Sequence, residues 1–163
     1  MHHKLDKIDE AIVCLLQEDG RMPSAEIARR IGNGVTERVV RFRIKKMQQD
    51  GIIKISAILN PEAVGYPVAA DVWIEVESGQ VMEVAKKLAS FEQVTYVACS
   101  TGDRDISCQV SARDNLELHH YVTDTIANVA GVKKANFVVI PVILKDIDDW
   151  RIPVTCQALE SKG

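Results

Sequence analysis

The sequence has no apolar run approaching the ~20 residues that cross a bilayer. Its opening residues, Met1, His2, His3, Lys4, Leu5 and Asp6, lack the apolar centre of a signal peptide. A cytoplasmic chain with no membrane partner is therefore expected. Cysteine is scarce: Cys14, Cys99, Cys108 and Cys156 form no CxxC pair, which speaks against a zinc ribbon and against a secreted disulfide framework. Reduced thiols in packed positions are the expectation. No GxSxG, phosphate loop or HExxH is found, and no second ligand cluster joins the adjacent His119 and His120. Accordingly, no catalytic residue, metal or cofactor is assigned.

What remains is ordinary in bulk and uneven in distribution. Hydrophobic residues make up 47% and charged residues 26% of 163 positions, enough to bury a core. The formal net charge is −3, yet residues 1–60 carry 11 Lys and Arg against 8 Asp and Glu, while residues 61–163 carry 9 against 15. A basic front and an acidic back suggest that the front meets a polyanion. Within that front, Glu37 to Met47 (ERVVRFRIKKM) holds five cationic side chains in eleven residues.

The front reads as three helices. Ile8, Ile12, Leu15 and Leu16 recur at helical spacing before the stop Asp19-Gly20. Pro23 and Ser24 open a short second helix with Ile27, Ala28 and Ile31 inward, ended by the turn Gly32-Asn33-Gly34. Thr36 is the expected N-cap of a third helix reaching Gln49 or Asp50, with Gly51 at its stop. Two helices joined by a short Gly-rich turn form the helix-turn-helix pattern. At 100° per residue Val40, Ile44 and Met47 share a narrow inward stripe, and the opposite arc carries Arg38, Arg41, Phe42, Lys45 and Gln49. With Thr36 and Glu37 at the deep N-terminal end, these residues are the candidate contacts to double-stranded DNA, since Arg and Lys pair with phosphates and Arg reads guanine bidentately. A merely solvated charged face is the competing reading of the same segment. Arg43 flanks the buried stripe, and an ion pair with an acid such as Asp9 competes there with a phosphate contact. Ile52 to Leu59, rich in β-branched residues, is expected to form a wing strand, and residues 60–67 a linker.

The back alternates differently. Val68–Val76 reads as a strand, residues 80–90 as a helix, Val94–Thr101 and Asp105–Ala112 as strands around Gly102-Asp103-Arg104-Asp105, residues 114–130 as a helix, and Ala135–Lys145 as the last strand. Asp114 and Glu117 suggest a capping box. The order βαββαβ predicts a ferredoxin-like unit over residues 68–153, with 154–163 a tail, so the fold class is α+β. If Asp103-Arg104 are a two-residue loop, Cys99 lies opposite Cys108 as a buried cross-strand pair. Tyr96, Ala98, Ser100, Ser107, Gln109 and Ser111 then form a semi-polar sheet face that no helix covers.

LDKIDEAIVCLLQEDGR, AEIARRIG, RIKKMQQDGII, the NPEAVG linker and the GDRD turn together resemble the Lrp/AsnC family of feast/famine transcriptional regulators, to about Pro153. The resemblance implies DNA binding, pairing of second domains through their sheets into dimers, and assembly to octamers or other higher oligomers. It also implies an amino-acid effector near the GDxD turn, which implicates Thr101, Gly102, Asp103, Arg104 and Asp105. Here IGNGVTERVV is two residues longer in the turn than the family spacing. Arg104 replaces a frequent aromatic, and Ala135 and Phe137 replace small hydroxyl residues. Sirohaem decarboxylases share the two-domain layout and supply the alternative function, but their basic, His-rich strand segment has no counterpart in VTYVACST or DISCQVSA.

Overall fold

The computed structural model describes residues 5–150. They fall into two compact units, one formed by residues up to Ile58 together with those from Lys145, the other by Leu59–Leu144. The last residues of the span 68–153 read from the sequence lie outside the described residues. No helix among the described residues is long and apolar enough to cross a membrane.

In the first unit, α1 spans Lys7–Glu18, α2 Ser24–Ile31 and α3 Glu37–Gln49. Asp6 starts α1 with a capping box: its carboxylate accepts from the amides of Ile8 and Asp9, and the Asp9 carboxylate accepts from the Asp6 amide. Thr36 Oγ1 accepts from Val39 N at 3.3 Å and caps α3 as expected, a contribution of about 1 kcal/mol. Gly32, Asn33 and Gly34 take positive φ of 67°, 51° and 76°, so the chain reverses there through conformations a Cβ disfavours. Ile12, Leu15, Met22, Ile27, Val40 and Met47 interlock as the core, with Ile44, Ile52 and Ile53 packed against it.

The wing strand expected at Ile52–Leu59 does not form. A strand needs a partner for its backbone groups, and the sheet pairs only strands from residue 68 onward. Ile52 and Ile53 are held by the helical core, whereas Ile58 and Leu59 are exposed. The segment from Lys145 joins this unit through a 3₁₀ turn, Ile147–Asp149, and Gln17 Nε2 donates to the Trp150 carbonyl at 2.8 Å.

The second unit is the expected βαββαβ: β1 Val68–Val76, α4 Val81–Leu88, β2 Val94–Cys99, β3 Ile106–Ala112, α5 Asn115–His120 and β4 Val132–Ile140. The antiparallel sheet has the order β2-β3-β1-β4. Alternation decides its faces: Ala70, Val72, Ile74, Ile106, Cys108 and Val110 are buried beneath α4 and α5 with Val84, Leu88, Leu118 and Val122. α5 passes directly into a π-helical segment, Tyr121–Ile126, which the helical pattern of residues 114–130 did not foreshadow. Asp114 caps α5 by accepting from Glu117 N at 2.8 Å, but the Glu117 carboxylate accepts from Arg113 N rather than closing the box on Asp114. β4 ends at Ile140, short of Lys145, since the β1 ladder ends where Ala69 meets Ile140.

The hairpin register differs by two residues from that of a two-residue loop. Cys99 pairs with Ile106 and Cys108 with Val97. The cause is a longer loop: Ser100 N donates to Asp105 O at 2.8 Å, leaving four residues, Thr101–Arg104, in the turn. A shift of two preserves the faces and separates the thiols. Cys108 is buried and Cys99 exposed, both free, so no buried cross-strand cysteine pair exists. Cys14 is buried inside α1, and Cys156 lies outside the described residues.

Candidate functional site

The helical front sorts its cations by partner. On α2, Glu26 takes both Arg29 and Arg30, and Arg30 also reaches Glu18 of α1 at 2.8 Å. Those hydrogen bonds, from Arg29 first and Arg30 second, lower the Glu26 carboxyl to about 2. On α3, Arg43 Nη1 lies 2.6 Å from Asp6 Oδ2 and 2.8 Å from Asp9 Oδ1, an ion pair that ties the third helix to the start of the first. The Asp6 carboxyl is held low by the Asp9 amide and then by the Arg43 guanidinium. Lys46 pairs with Asp50 within the helix.

The arc identified from helical angle is left outward. Arg38, Arg41, Phe42 and Lys45 are all exposed, beside Thr36 and Glu37 at the N-terminal end. Arg41 pairs with Glu37 one turn back, both exposed, a contact worth only a few tenths of a kcal/mol and easily exchanged. Arg38 and Lys45 make no ion pair within the described residues. Beside them an open groove of about 550 Å³ runs between the start of α1 and α3, lined by Asp9, Arg38, Val39, Phe42, Arg43, Lys46 and Met47. A helix presenting unpaired cations and one apolar ring has the chemistry to meet phosphates and base edges in a major groove.

The second candidate cluster is the hairpin turn. Thr101, Gly102, Asp103 and Arg104 are exposed, with Gly102 at φ 147°. Asp105 is different: its backbone N donates to Ile74 O at 3.1 Å and its Oδ2 accepts from Val76 N at 2.7 Å. That carboxylate takes a β1 amide lying beyond the last β1–β3 pair, so its first duty is to the fold. The Arg104 guanidinium sits 4.4 Å from the Trp73 ring centroid, a cation–π stack that sequence reasoning missed. The available signal was period two: Ala69, Asp71, Trp73 and Glu75 alternate with the buried residues of β1 and so belong to the uncovered face. That face also carries Tyr96, 53% exposed, and an Asp71–Gln109 hydrogen bond of 3.0 Å. On the buried face, desolvation pushes the Cys108 thiol up to about 12, which makes it a poor nucleophile at neutral pH. His120 Nδ1 lies 3.1 Å from Asp124 Oδ2, and His119 packs edge-on to Phe137. No group of three potential metal ligands occurs among the described residues.

A helix-turn-helix unit followed by a split βαβ unit with an open sheet face is the architecture of a ligand-responsive transcription regulator. Residues 5–48 match the AsnC-type helix-turn-helix domain and residues 69–147 the Lrp/AsnC ligand binding domain. The chain belongs to the Lrp/AsnC family of transcriptional regulators. It is 39% identical over 147 residues to an uncharacterised HTH-type transcriptional regulator of Pyrococcus furiosus, covering 90% of this chain and 95% of that one. Among solved structures, AsnC of E. coli superposes with a TM-score of 0.80 at 26% identity, covering 90% of this chain and 99% of AsnC. The regulator NMB0573 of Neisseria meningitidis, solved as a complex with L-Met, also gives 0.80 at 26% identity, covering 88% and 94%.

Proposed function

We propose that this regulator acts in the cytoplasm as a sequence-specific DNA-binding homodimer, or a higher oligomer of dimers, whose operator affinity responds to an amino acid. The observation that carries the DNA reading is the division of arginines. Arg29, Arg30 and Arg43 are committed to Glu26, Glu18, Asp6 and Asp9, while Arg38 and Lys45 stand outward without an acid among the described residues. Thr36, Glu37, Arg38, Arg41, Phe42 and Lys45 form the reading face, with Arg41 leaving Glu37 for a phosphate or a guanine on binding.

The effector reading is supported by the turn and by the L-Met bound to the Neisseria relative. Backbone amides around Thr101 and Gly102 are suited to a carboxylate. Because Asp105 is occupied by the Val76 amide, Asp103 is the carboxylate left to take an ammonium group. Arg104, stacked on Trp73, lies where the turn meets the open sheet face. Two copies pairing through that face bring two turns together and give the assembly two third helices. The effector shifts DNA affinity by binding one assembly state better than another. The chain is proposed to be no enzyme; relatives spanning 90% of it are named as regulators.

A thermal-shift screen of the twenty amino acids, followed by sizing and DNA anisotropy with each hit, tests this reading. One or a few amino acids should stabilise the protein and change DNA affinity, and Asp103→Asn should abolish both effects. Stabilisation by none, or a hit indifferent to Asp103→Asn, refutes the effector assignment.

A further inference from the structure

Phe42 is out of place for a fold with so few aromatics. Of three phenylalanines, Phe91 and Phe137 pack against the core of the second unit, whereas Phe42 is 67% exposed amid the cations of α3. It does not stand alone as an apolar surface: Val39 is 38% exposed, and both line the groove that continues to Met47. Phe42 is one turn beyond Arg38 on the same side of the helix, about 6 Å along the axis, or roughly two base-pair steps. A ring in that position enters whatever groove Arg38 enters.

The edges of the base pairs then restrict what the ring accepts. In the major groove, guanine offers two acceptors, cytosine a donor, and adenine one of each. Only thymine presents an apolar group, its 5-methyl. Pressing Phe42 on any other edge strips water from a polar atom with nothing in exchange.

Resting on the DNA-binding reading above, we propose that Phe42 is a specificity-determining residue that selects a thymine through its 5-methyl group, within about two base pairs of the pair that Arg38 faces. The operator half-site is thus read by an Arg38 polar contact and a Phe42 apolar contact in tandem. Val39 extends the apolar contact and shields it from water.

The test uses the full chain and a duplex recovered from a randomised library by repeated selection. Each thymine of that duplex is replaced singly by deoxyuridine, which deletes the methyl and leaves the pairing intact. At one position in each half-site the wild type should lose about fourfold in affinity, the magnitude for one buried methyl. Phe42→Ala should lose at least as much on the unmodified duplex and become indifferent to deoxyuridine there, while Phe42→Leu keeps the sensitivity. Because the ring is exposed, Phe42→Ala should melt and size like wild type. Equal affinity for every deoxyuridine duplex overturns the proposal, as does full methyl sensitivity in Phe42→Ala or a changed oligomer in that variant. If selection yields a preferred duplex that needs Arg38 but not the methyl, only the Phe42 assignment falls. If no duplex is enriched, the DNA reading falls, and this proposal with it.

Discussion

Arg43 and Arg38 lie five residues apart on one helix, and replacing each by Ala should produce opposite defects. Arg43 is about three-quarters buried and holds Asp6 at 2.6 Å and Asp9 at 2.8 Å. Its removal leaves Asp9, only 14% exposed, without its cation and loosens α3 from the capped start of α1. Exposed ion pairs contribute ~0.2–1 kcal/mol and charge-assisted hydrogen bonds up to ~3. Since Asp6 is half exposed and screened, the loss should be about 1–2 kcal/mol, which lowers the melting temperature of a unit this size by roughly 5–15 °C. Arg38→Ala touches no packed group and should stay within about 0.5 kcal/mol of wild type. Urea denaturation of both variants gives the stabilities, and anisotropy on a duplex gives the affinities across a salt series. Arg38→Ala should reduce the slope of log K against log salt by about 0.9, one phosphate's worth, or lose base preference instead. Arg43→Ala should keep the wild-type slope at temperatures where it is folded. If Arg43→Ala were fully stable but lost the slope, the division of arginines into fold and groove would be wrong.

Three further outcomes follow from the same geometry. The Glu26 carboxyl is depressed from 4.5 to about 2 by Arg29 and Arg30, so its contribution is present above pH 4.5 and lost as pH falls toward 2. Glu26→Gln should therefore flatten that part of the acid-melting curve and leave the neutral region nearly parallel. In the native protein at pH 8 a thiol reagent should label Cys99 promptly, while Cys108, buried with its thiol near 12, should react only on unfolding; equal rates would contradict the register. Gly131→Ala should destabilise by about 1–3 kcal/mol, because Gly131 has φ +92° and an added Cβ would collide with Gln80 Oε1. Adding Gln80→Ala should recover only part of that loss, since the backbone strain remains.

Local chemistry was readable where one residue decides the outcome. Thr36 and Asp114 cap their helices, and Val40 and Met47 face inward because 3.6-residue periodicity leaves them no other direction. The same angle count placed Arg43 beside the buried stripe and left an ion pair and a phosphate contact open; the structure pairs it with Asp9. Failures came where tertiary partners decide. A β-branched run at Ile52–Leu59 has strand propensity but no partner strand in this chain's sheet. The hairpin loop is four residues rather than two because Asp105 is recruited to β1 by Ile74 and Val76, which no local pattern in the turn encodes. For the same reason the Arg104–Trp73 stack was invisible: it joins a turn to a strand 31 positions earlier. Of the two candidate sites, the outward exposure of the α3 arc was legible from helical angle. The hairpin turn was legible only as a place, since Asp105 and Arg104 have structural partners that modify their chemistry.

Equilibrium anisotropy on the selected duplex from 50 to 300 mM salt asks whether the outward cations of α3 bind DNA. Arg38→Ala with Lys45→Ala should bind at least tenfold more weakly, with a salt slope lower by about 2, and should melt as wild type does. Unchanged affinity and slope in that folded double variant would contradict the account.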